Sequence, residues 1–201
     1  YVPGGMVAAF DSTLQQFGAD ALLVFLIVVN AAIGWRTGTV RRVLSFAGLY
    51  VGVVAAFYVG NGIAGFIDKG SIYANAWTFL AVTLVVVLGF ELIGRMFAER
   101  IERMLVLTFD RVAGLLVGAA VGFFQALLLF LVALSVGNAP SLPTNDVPPG
   151  RATAADSVRS ATLAGRAIGA EPTLQRIISP LLSTDLTTHF LEGTSAGTSV
   201  P

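Results

Sequence analysis

Apolar residues gather into four runs between Asp20 and Val136, and each run is long enough to cross a bilayer. A spanning helix needs about 20 mostly apolar residues at a rise of about 1.5 Å each. The pattern predicts spans over about 20–38, 43–67, 74–97 and 111–136, grouped in one transmembrane domain at 20–137. Ahead of them, Met6, Phe10, Leu14 and Phe17 recur at helical spacing, which predicts a helix lying in the membrane interface over residues 1–19. No basic residue lies in that stretch, so it does not read as a signal peptide. After the last run, residues 138–152 form a proline-rich linker that cannot hold a regular helix. The tail at 153–201 changes character again. It is alanine-rich over 153–169, and then carries Leu174, Ile177, Ile178, Leu181, Leu182 and Leu186 at helical spacing, interrupted by Pro180. Glu171-Pro172 marks a boundary, because the residue before proline resists the helical conformation. The fold expected is an all-α membrane protein: a four-helix transmembrane bundle with an interfacial N-terminal helix and an extracytoplasmic amphipathic helical tail. That tail lies on the membrane surface, against a partner, or back on its own bundle.

Composition agrees with a bilayer-embedded chain: 55% of the 201 residues are hydrophobic and only 12% are charged, with a mean hydropathy of +0.81. Charge decides orientation. The first loop holds Arg36, Arg41 and Arg42, and the third holds Arg95, Arg100, Arg103 and Arg111 around Glu99, Glu102 and Asp110, whereas the second has only Asp68 and Lys69. Basic residues in short loops are retained in the cytoplasm, so loops one and three are expected inside and both termini outside. A formal net charge of zero offers no basic face for nucleic acid. Membrane lipids and other membrane proteins, met through the spans and the outward tail, are the partners expected.

Small residues four apart are the most specific local pattern. Lipid tails are as apolar as leucine, so helices associate in a bilayer by close packing that small residues permit. Gly114, Gly118 and Gly122 form one such stripe, and Gly48, Gly52, Ala56 and Gly60 form another. Both predict a tight bundle with little room for a wide aqueous pore. Polar residues inside the spans are expensive and need partners. Asp20 is expected to cap the N-terminus of the first span. Asn30 is placed to hydrogen-bond to another helix, and Glu91 to pair with Arg95 four residues on.

Little in the chain reacts. Cysteine is absent, which removes disulfides, thiolate metal sites and cysteine nucleophiles, and His189 is the single histidine. Gly193 to Gly197 match the G-x-S-x-G pattern around Ser195, but that motif needs a strained strand-to-helix turn with the histidine following the serine, and His189 precedes it. P-loop and HExxH patterns are missing. No catalytic residue, metal or cofactor is expected, and no enzyme.

Several of these positions also form an ordered set. Asp20, then Gly34-Trp35-Arg36-Thr37-Gly38, then the Val43 to Gly48 segment with Ser45, and finally Asp110-Arg111-Val112-Ala113-Gly114 with Gly118 resemble the CvpA (colicin V production protein) family along residues 20–136. The resemblance implies a four-span protein of the bacterial inner membrane, linked to colicin V secretion and envelope homeostasis. The same module anchors certain periplasmic serine proteases. That activity is not expected of this chain, which ends at Pro201. Three functions fit: a membrane scaffold or accessory subunit of a larger assembly, a small transporter or channel component using Glu91 and Arg95, and an anchor for a separate periplasmic enzyme.

Overall fold

A computed structural model describes residues 4–67, 71–101, 107–138, 151–168 and 188–190. Six helices follow one another in it: α1 Gly4–Thr37, α2 Thr39–Ile67, α3 Ile72–Ile101, α4 Leu107–Asn138, α5 Arg151–Ser160 and α6 Thr162–Ile168. No strand occurs among the described residues. Inside a bilayer every backbone polar group must be satisfied within the chain, and a helix does so locally. Four stretches are long and apolar enough to cross a membrane, Phe17–Thr37, Thr39–Ile67, Ile72–Met96 and Phe109–Gly137. The protein is an all-α membrane bundle.

Two expectations about helix ends are corrected. The interfacial helix of residues 1–19 is not a separate element, because α1 runs unbroken from Gly4 through the first span. Between Asp11 and Asp20 there is no proline, and one mid-helix glycine, Gly18, costs only about 1 kcal/mol. The second helix starts at Thr39, four residues before the expected Val43. Its first turn is held from outside, by a contact with α4 described below. At α3 the start is local: Ser71 precedes the first turn, and its hydroxyl accepts from the Ala74 amide at 3.3 Å.

The helices pack as two pairs, α1 with α4 and α2 with α3, brought together mainly along α2 and α4. Glycine sets the first pair. A methyl group on Gly114, Gly118 or Gly122 would overlap the carbonyl oxygens of Gly34, Asn30 and Leu26 respectively. Steps of four on α4 therefore meet steps of four on an antiparallel α1, backbone against backbone. The second pair is looser along its length. A methyl on Gly48 would come within 2.6 Å of Phe90 Cβ, and one on Gly52 within 2.9 Å of the Thr83 carbonyl, but one on Gly60 would lie 3.7 Å from its nearest neighbour, in ordinary contact.

Two apolar clusters result. One joins Ala19 and Leu23 of α1 and Ala126, Leu127 and Phe130 of α4 to Val158, Ala161, Ala164 and Ala167 of the tail. The tail at 151–168 thus folds back on its own bundle. The other joins Val53, Ala56 and Phe57 to Ile72, Ala76 and Phe79, with Val132 of α4 and Phe190. The apolar positions expected to form a helix between Leu174 and Leu186 lie outside the described residues.

Candidate functional site

The turn between α1 and α2 is one residue long and is built on Gly38, whose φ of 78° lies in the left-handed region. Its amide donates to the Gly34 carbonyl at 2.9 Å, closing the last turn of α1. Asp110, at the start of α4, then takes over the start of α2. Its carboxylate accepts from the Thr39 amide at 2.9 Å, and its carbonyl accepts from the Thr39 hydroxyl at 2.9 Å. An acid that normally caps its own helix caps a neighbour here, at the positive end of the α2 dipole. A methyl on Gly38 would overlap this carboxylate, so the position demands glycine twice, for conformation and for space. The Gly34 to Gly38 segment and the Asp110 to Gly114 segment are therefore two halves of one joint. Trp35, Arg36 and Arg111 project from it and are exposed.

One helical turn deeper lies a polar cluster. Arg42 is 3% exposed. Its Nη1 donates to Asn30 Oδ1 at 3.2 Å, its Nε donates to the Thr37 hydroxyl at 3.4 Å, and its Nη2 stands 4.0 Å from Glu91 Oε1. Asn30 is fully used, because its amide nitrogen also donates to the Leu26 carbonyl and to Gln125 Oε1, both at 2.9 Å. All four spans contribute a side chain: Asn30 from α1, Arg42 from α2, Glu91 from α3 and Gln125 from α4. A buried guanidinium is tolerable only when such partners replace its water.

The expected partner of Glu91 is corrected by this arrangement. Glu91 pairs with Arg42, while Arg95, one turn further along α3, is exposed. Sequence reasoning counted Arg42 as loop charge and passed over Gln125. A signal was present: Arg42, Ser45, Leu49, Gly52 and Ala56 share a helical face, and all five are buried. A helix start at Thr39 was needed to see it.

At the opposite end of the bundle Asp20 is also a cap, though not of its own helix. It lies within α1, and its two carboxylate oxygens accept from the amides of Thr162, Leu163 and Ala164 at 3.1, 2.9 and 2.8 Å. These are the orphan donors at the start of α6. The segment 188–190 docks nearby between α2 and α3. The Asn61 amide donates to the His189 carbonyl at 2.9 Å, and the Asn75 amide donates to the Phe190 carbonyl at 2.8 Å. The His189 ring stacks on Phe57 with centroids 4.0 Å apart, and Phe190 is fully buried. Neither Asn61 nor Asn75 stood out in the sequence, since isolated asparagines near span ends are ordinary.

Among the described residues no group of three or more histidine, cysteine or acidic side chains is placed to hold a metal. A family model described as colicin V production protein matches residues 19–169. The comparisons with curated proteins and with solved structures returned no match. The matched segment begins one residue before Asp20 and ends one residue after α6, so it spans both capping acids, the polar cluster and the glycine stripes.

Proposed function

The chain belongs to the colicin V production protein family, and on that premise we propose that it acts as a non-enzymatic scaffold or accessory subunit of a larger assembly in the bacterial inner membrane, with both termini on the periplasmic side. One observation carries this reading. The acids and the arginine inside the described bundle are committed to holding it together: Asp20 to α6, Asp110 to α2, and Arg42 to Asn30 and Glu91. Groups so engaged serve a rigid platform better than a reaction. The lipid-facing sides of the spans and the exposed faces of α5 and α6 are the surfaces such a platform offers to other membrane proteins.

Purification of the native complex in mild detergent, followed by mass spectrometry of the co-purifying proteins, tests the proposal. A discrete, stoichiometric partner is the expected result. A chain that elutes alone and monomeric from every preparation removes the scaffold reading.

A small transporter or channel component is the second reading, and the Arg42–Glu91 pair favours it, because ionisable groups within spans mark many ion and proton paths. It requires that Glu91→Gln abolish a flux measured in proteoliposomes. Full retention of the flux would eliminate it.

A further inference from the structure

The segment 188–190 carries the single histidine of the chain, and that ring is buried against the bundle. His189 is 6% exposed and stacks on Phe57 with 17° between the ring planes. Asn61 fixes how the ring is hydrogen-bonded. Its Nδ2 lies 2.9 Å from the His189 carbonyl, which can only accept, so this atom is the amide nitrogen and not the oxygen. The same nitrogen stands 3.4 Å from Nδ1 of the ring and offers it a second N–H. Nδ1 is therefore an acceptor and the ring proton sits on Nε2, which makes the docked histidine neutral. A proton added at Nδ1 would set two donors against each other.

The surroundings act in the same direction. A charged ring at this buried position loses its hydration, and the attraction of a cation for the face of Phe57 is the weaker effect. The ionisable side chains in the outer halves of α2 and α3 are Tyr58 and Tyr73, and tyrosine carries no charge near neutral pH. On α4 no ionisable residue occurs from Val117 to Asn138. Asp68 and Lys69 between α2 and α3, and Asp185 and Glu192 on either side of the segment, are the charged residues closest along the chain, and their side chains lie outside the described residues.

We propose that residues 188–190 form a pH-released strap across the outer ends of α2 and α3, docked while His189 is neutral and set loose when it is protonated. The Asn75 amide holds the same segment through the Phe190 carbonyl, and the Phe190 ring meets Phe79 edge-on with centroids 5.5 Å apart. Release thus uncovers two asparagine amides and an aromatic-lined hollow. In the orientation proposed above, the strap lies on the outer side of the membrane, where external pH acts on it. The inference stands whether the bundle is a scaffold or a transporter.

The test is hydrogen exchange of the full chain in detergent at about pH 7.5 and about pH 5.5, either side of the ordinary histidine value of about 6.5. Rates are corrected for the intrinsic pH dependence of amide exchange. The released segment takes up a proton that the docked one does not, so docking weakens as pH falls, by about tenfold between these two conditions. Peptides covering 188–190 should lose about tenfold in protection, with α1 and α4 unchanged. His189→Phe keeps the stack on Phe57 and cannot titrate, so its protection should be equal at both pH values. Equal or greater protection of the wild type at the lower pH would overturn the proposal, since an acid or the Phe57 face would then be holding the protonated ring in place. A loss that persists in His189→Phe would assign the response to another group and overturn it as well. Should that variant fail to dock, the imidazole nitrogen chemical shifts of the wild type at about pH 7.5 decide. A neutral ring protonated at Nε2 is expected there, and a cationic or Nδ1-protonated ring would overturn the strap.

Discussion

At residue scale the glycines divide sharply by what stands opposite them. A methyl on Gly118 meets a backbone carbonyl that cannot move without shifting α1, while a methyl on Gly60 meets open packing distance. Gly118→Ala is therefore expected to destabilise the bundle by about 3 kcal/mol or more, within the upper range of overpacking costs, and Gly60→Ala by less than about 0.5 kcal/mol. Thermal unfolding in detergent measures both, and equal losses would refute the register of α1 on α4. The stripe in the sequence contained Gly60 on the same terms as Gly52. Periodicity identifies a face, but only the distance to the facing helix says which glycine is indispensable.

Arg42 makes a second residue-scale case. Removing it alone strands Glu91 and the Asn30 oxygen, and breaking a buried pair from one side costs about 3–5 kcal/mol. Arg42→Met should fall in that range, whereas Arg42→Met/Glu91→Leu should recover more than half of the loss, because no charge is left unpaired. Denaturation of the two single variants and the double one checks this. Additive losses would show that the pair is not energetically coupled.

At the scale of elements, side chains from distant parts of the chain decide where helices start. Thr39 begins α2 because Asp110 receives its amide, and α6 begins at Thr162 because Asp20 receives three amides at once. Asp20→Ala should therefore release α5 and α6 from α1 while leaving the four spans folded. Loss of such a cap costs about 1–2 kcal/mol. Hydrogen exchange across residues 151–168 is expected to accelerate, with unchanged protection in α2 and α3, and equal protection of the tail in both proteins would contradict the assignment. The acid at position 20 was visible as a feature of the sequence. Its role was assigned to the wrong helix, because capping rules read neighbours along the chain and not neighbours in space.

At the scale of the whole molecule, the distribution of arginine predicts a topology with loops one and three in the cytoplasm and both termini outside. Lys69→Cys should react with an impermeant thiol reagent applied outside the cell, and Arg103→Cys should react only after permeabilisation. The natural chain has no cysteine, so each label reports one position. The reverse pattern would invert the orientation and place α5, α6 and the segment 188–190 in the cytoplasm.

The four spans, their order and the small-residue faces follow from sequence alone, since bilayer thickness sets helix length and the absence of water forces local hydrogen bonding. The joint of Gly38 with Asp110, the sealing of Arg42 by side chains of α1 and α3, the cap that Asp20 places on α6 and the burial of Phe190 between α2 and α3 depended on the tertiary structure. Each of these joins residues whose pairing is a property of helix register and crossing. A one-dimensional pattern shows which face of a helix is closely packed, but not which turn of which partner it meets.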